Sequence, residues 1–169
     1  MKPRFLACTA FACIALAHAS FAQGSQLQPD PKSSAAADPT ALSGEYEFLH
    51  QGEILQLTIQ PDDSSADKKI TGFVSRHGEL ESDRGTPLDH FITNGVLHGD
   101  QLQFRTGTIH GVWFEFKGSI KRGPGHSPGE RGYFMLEGKL TEHVVDRDRH
   151  ETAQSREVTF HSMPAEASQ

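Results

Sequence analysis

Residues 112–122, VWFEFKGSIKR, and residues 131–143, RGYFMLEGKLTEH, decide the fold. In both, apolar and polar residues alternate with a period of two, which puts successive side chains on opposite faces of a strand. Between them runs Gly123-Pro124-Gly125-His126-Ser127-Pro128-Gly129, a stretch rich in the two residues that interrupt regular structure. Folding the first segment back on the second with Phe116 opposite Gly138 sets Phe114 against Leu140, Gly118 against Leu136 and Ile120 against Phe134. The other face then opposes Glu115 to Lys139 and Lys117 to Glu137. Such cross-strand pairs contribute about 0.2–1 kcal/mol each, and a one-residue slip would lose both sets together. The two segments are therefore expected to form an antiparallel hairpin.

Outward from this hairpin the same alternation recurs, with no sustained 3.6-residue apolar stripe. Strands are expected near 44–50, 53–60, 69–76, 88–97, 100–107, 112–122, 131–143 and 155–162. No connection is long and apolar enough for a crossover helix, so neighbours should pair antiparallel. The fold class is all-β: a single antiparallel meander of about eight strands, closed or nearly closed into an up-and-down barrel. A turn at Gln51-Gly52 would oppose Phe48 to Leu55 and Tyr46 to Leu57. A turn near Ile109 would oppose Phe104 to Phe114, with Arg105 across from Trp113 in a cation–π contact. The last hairpin would oppose Leu140 to Val158 and Gly138 to Phe160. Asn94-Gly95 is a strong two-residue turn signal that competes with Gly99-Asp100. Gly72, Gly118 and Gly138 each sit on the apolar face between two larger residues, where a missing side chain lets a sheet bend sharply or leaves room for a ligand.

The ends of the chain differ from this middle. Lys2 and Arg4, the uncharged apolar run from Phe5 to Ala17, and Ser20-Phe21-Ala22 have the three-part form of a secretory signal at 1–22, with cleavage after Ala22. Cys8 and Cys13, the only cysteines, fall inside it, so the remaining 147 residues hold no thiol or disulfide. Loss of Lys2 and Arg4 moves the formal charge from −6 to −8, which argues against nucleic acid as a partner. No later segment approaches the roughly 20 apolar residues of a membrane span. Residues 23–42 read as a flexible linker, 43–163 as the β-barrel domain and 164–169 as a disordered tail. The destination implied is periplasmic or extracellular.

Gly44-Glu45-Tyr46 at the start of the first strand is similar to the Gly-X-Trp of lipocalins, with Tyr in place of Trp, and Arg156 on the last strand matches the arginine that packs over that Trp. With the meander over 43–163, the chain resembles the lipocalin-like, calycin-type barrels. It departs from them in lacking the C-terminal helix and disulfide of typical lipocalins. The resemblance implies non-enzymatic binding of a small, largely apolar molecule, with Tyr46, Phe48, Leu57, Val74, Phe104, Phe116 and Leu136 lining the cavity.

Other residues suggest a structural or protein-interaction module instead. In an up-and-down barrel the odd-numbered connections share one end, which gathers His50, His77, His90, His110, His143 and His150 at one rim. Imidazole and carboxylate suit Zn²⁺, and His50, His77, His110 and His143 are the candidate ligands, although no two have a recognised metal spacing. Phe73, Trp113, Tyr133 and Met135 fall on the outward parity and form the candidate interaction surface. Glu79, Glu81 and Asp83 read as a solvated acidic loop. The chain carries no cysteine nucleophile outside the leader, no Gly-X-Ser-X-Gly elbow and no phosphate loop, so no enzyme and no cofactor are expected. An internal cavity of a few hundred cubic ångströms would favour the ligand reading, since small-molecule sites have that size.

Overall fold

The structure is a computed structural model that describes residues 39–61, 65–79, 81 and 83–164. The leader at 1–22, most of the linker and residues 165–169 lie outside the described residues. The fold is all-β: β1 (Gly44–Glu47), β2 (Ile54–Gln60), β3 (Lys68–His77), β4 (Pro87–His98), β5 (Gln101–Thr106), β6 (Val112–Arg122), β7 (Phe134–Val145) and β8 (Glu151–His161). They form one antiparallel sheet in sequence order. The sheet curls until its edges touch at one point, where Tyr46 bridges Ser162 and the Met163 amide donates to the Glu45 carbonyl at 2.7 Å. Among the described residues no helix is long and apolar enough to cross a membrane.

The expected linker ends earlier than residue 42. Pro39–Leu42 forms a 3₁₀ turn, Leu42 is buried, and its carbonyl accepts a hydrogen bond from the Tyr46 phenol at 2.8 Å. One apolar side chain in a polar stretch is enough to dock that turn. Burial of the phenol pushes its pKa above the ordinary tyrosine range.

Every expected hairpin forms, and in each of the four written out above the register differs by two residues. Phe116 faces Leu140 and Gly118 faces Gly138; Tyr46 faces Leu55; Phe104 faces Phe116; Gly138 faces Val158. A shift of two leaves every side chain on its face, so alternation cannot detect it. Turn geometry and backbone contact decide instead. The first turn closes through Phe48 N to Glu53 O and encloses residues 49–52, a loop two residues longer than a turn at Gln51-Gly52. In β6–β7 the opposed glycines bring the strands so close that a Cβ on Gly138 would lie 2.4 Å from the Cα of Gly118. The expected Glu115–Lys139 and Lys117–Glu137 oppositions are replaced by Lys117 opposite Lys139 and a diagonal Lys121–Glu137 ion pair.

Asn94-Gly95 does not turn the chain. β4 runs on to His98 and reverses at Gly99-Asp100, while its register against β5 shifts between Ile92 and Asn94. This bulge changes parity along the strand, so that His90 and Leu97 are both buried although seven residues apart.

All seven proposed cavity residues are buried in one hydrophobic core. Phe104 and Phe116 stack at 5.5 Å, Phe48 stacks on Phe160 at 5.1 Å, and Phe48 meets Phe114 edge-on at 5.5 Å. These rings occupy the space assigned to a ligand, and the end of the Phe116 ring lies over Gly118, where a Cβ would come within 2.6 Å of it.

Candidate functional site

Because the meander is unbroken, the connections β1–β2, β3–β4, β5–β6 and β7–β8 share one end, as expected. Six polar or charged residues among those described are buried, and five of them, Glu53, Arg76, Asp83, His90 and Thr106, belong to strand ends or loops at that rim. Burying a polar group costs free energy unless its hydrogen bonds are made. How each one is satisfied separates structural members from those with capacity to spare.

Glu53 is fully engaged. One carboxylate oxygen accepts the backbone amide of His50 at 3.2 Å, the other that of His77 at 3.1 Å, clasping the first turn to the end of β3. Thr106 accepts the Phe114 amide at 3.0 Å. Arg76 stands over the Phe114 ring, lies within 4 Å of Glu142 and Glu79, and donates Nε–H to His90 Nε2 at 3.4 Å.

That last bond fixes the His90 tautomer. A guanidinium only donates, so Nε2 must be the acceptor, and Nδ1–H is left to face the Gly107 carbonyl at 3.4 Å. Burial, then the Arg76 charge, push the His90 pKa below the ordinary imidazole value. The unfolded chain therefore takes up this proton before the folded chain does. Stability contributed here is intact at neutral pH and lost as pH falls through the ordinary imidazole value near 6.5, at up to about 1.4 kcal/mol per pH unit. Urea unfolding between neutral and mildly acidic pH should show a decline that flattens in His90→Gln; equal slopes in the two proteins would refute the assignment.

Asp83 is the member with unused capacity. Its side chain is only 7% exposed; Oδ2 pairs with His110 Nδ1 at 2.5 Å, while Oδ1 has no hydrogen-bond partner among the described residues. The carboxylate is therefore buried, contrary to the solvated loop expected from the sequence. The β3–β4 loop folds inward through Gly85 N to Gly78 O and Thr86 N to Asp83 O, and Gly78, lacking a Cβ, makes room for the carboxylate. His110 sits at φ 50°, an uncommon conformation for a non-glycine residue, with its ring half exposed. Held through Nδ1, the ring leaves Nε2 without a partner among the described residues and open to a contact from outside.

The other candidate residues divide. His50, His77, His110 and His143 do not converge: among the described residues the group of three ligand atoms within 4.8 Å of one another is Asp146, Asp148 and His150. That group is exposed, and its geometry follows from the turn, since Asp146 Oδ1 accepts the amides of Asp148 and His150. Trp113 faces outward as expected but is buried, because its ring is sandwiched between the Arg105 guanidinium at 3.9 Å and the His143 imidazole at 3.5 Å. Phe73 is half-buried against Phe91, which is 63% exposed. Tyr133 and Met135 are half-buried at the far end, with Tyr133 packed on Phe134. Arg156 pairs with Glu142 and lies six residues along β8 from Ser162, about 20 Å from the bridge to Tyr46, so it does not pack over that ring.

No family model matches the chain, and no curated protein matches it.

Proposed function

We propose that the mature chain is an exported, non-enzymatic binding module that meets a partner at its histidine-rich rim, with Asp83 and His110 at the centre of the contact. The observation that carries this reading is the Asp83 side chain, buried with one oxygen unpaired among the described residues beside a half-exposed imidazole. An unsatisfied buried carboxylate costs a fold stability. Sites where local rules are broken are commonly those kept for contact or chemistry. A small apolar molecule among Tyr46, Phe48, Leu57, Val74, Phe104, Phe116 and Leu136 is less well supported, since it would have to displace the rings that pack there.

The test is the stability of Asp83→Asn and His110→Gln. If the pair serves contact, both variants unfold within about 0.5 kcal/mol of the parent, or later, as substitutions at sites held for function commonly do. A loss above about 2 kcal/mol in both would make the pair part of the scaffold and remove the support for this reading.

A further inference from the structure

At the end opposite the rim, where the sheet edges meet, there is a half-open cavity of about 390 Å³. Its walls are the start of β1, the residues following β8, and the β6–β7 loop. Tyr133, Phe134, Met163 and Pro164 supply apolar surface. The volume falls at the lower end of small-molecule sites, about 300–1,000 Å³.

The polar groups here are already committed, with one kind of exception. The Tyr46 phenol donates to Leu42, and Ser162 Oγ accepts the Phe134 amide at 3.0 Å. Glu130 uses Oε2 for the Ser127 amide, leaving Oε1 free among the described residues. Among the described residues the Glu45 carboxylate makes no hydrogen bond or ion pair, and no lysine or arginine lines the cavity. Arg131, beside Glu130 in sequence, is paired with Glu47, and the Arg122 guanidinium stands over the Tyr133 ring at 5.7 Å. Among the described lining residues the uncompensated charge is thus negative, set beside an aromatic wall.

We propose that this cavity binds a small organic cation, an ammonium group carried on a compact apolar body. The ammonium sits between Glu45 and Glu130 with the body against Tyr133 and Phe134. The acidic balance of the chain, −6 overall, favours cations over anions in the encounter. This site is separate from the rim and stands or falls without it.

The experiment is amide chemical-shift titration of the purified, isotope-labelled chain with three probes of one shape: phenethylammonium, 2-phenylethanol and 3-phenylpropionate. The expected result is shifts at Gly44, Glu45, Tyr133 and Met163, with phenethylammonium binding at least about tenfold more tightly than the alcohol and the carboxylate weakest. Tenfold corresponds to about 1.4 kcal/mol. Glu45→Gln with Glu130→Gln, both at the surface, should erase the preference for the cation while leaving binding of the alcohol. Equal affinity for the three probes overturns the charge assignment. Absence of shifts around the cavity at millimolar probe overturns the site. Shifts confined to Thr108 and His110 would place the cation at the rim and overturn it as well.

Discussion

Glu53→Ala is expected to destabilise the protein by about 3 kcal/mol. The substitution leaves the part-buried amides of His50 and His77 without their acceptor, and each unpaired group costs about 1–3 kcal/mol when buried, the lower part of that range where solvent reaches it. Both bonds run from main chain to one carboxylate, at 3.2 and 3.1 Å, so a rotamer change elsewhere cannot replace them. Glu53→Gln retains one acceptor oxygen and should lose about half as much. Denaturant unfolding of the three proteins checks the ordering; a loss below about 1 kcal/mol in Glu53→Ala would mean that water reaches those amides.

Gly138→Ala is expected to cost about 3 kcal/mol, the upper end of ordinary overpacking. A methyl at this position would lie 2.4 Å from the Gly118 Cα and 2.4 Å from the Lys117 carbonyl oxygen. Both are backbone atoms of the central strand β6, paired along its length with β7, so relief requires the strands to separate. Had Phe116 faced Gly138, the methyl would have met a side chain that can turn away. Unfolding measurements on Gly138→Ala thus report the register directly, and a cost below about 1 kcal/mol would contradict glycine facing glycine.

The parity of each strand was legible because burial on one face imposes a period of two. Eight strands, their order and the residues of the core followed from it. The two-residue shifts were not legible, since they preserve parity and depend on how tightly the chain closes at Phe48–Glu53 and how near Gly118 comes to Gly138. The bulge in β4 presented itself as Asn94-Gly95, a pattern shared with hairpin turns. Burial of Trp113 depended on two neighbours from other strands, of which only Arg105 was anticipated.

The candidate site was legible in outline only. Histidines at one rim followed from connection parity. Asp83 did not, because burial of a polar loop depends on how that loop folds back over Gly78. One signal was available for His90: it shares parity with Leu88 and Ile92 at the start of β4, and an inward-facing histidine needs partners such as Arg76 and Gly107.

The most direct test of contact at the rim is photo-crosslinking in the native host. A benzophenone amino acid placed at Thr108, exposed beside His110, is compared with one at Pro128, exposed in the β6–β7 loop at the far end. The proposal predicts a discrete crosslinked product from Thr108 that is absent from Pro128 and is lost when Asp83→Asn or His110→Gln is added. The same products from both positions, or a Thr108 product indifferent to Asp83 and His110, would contradict it.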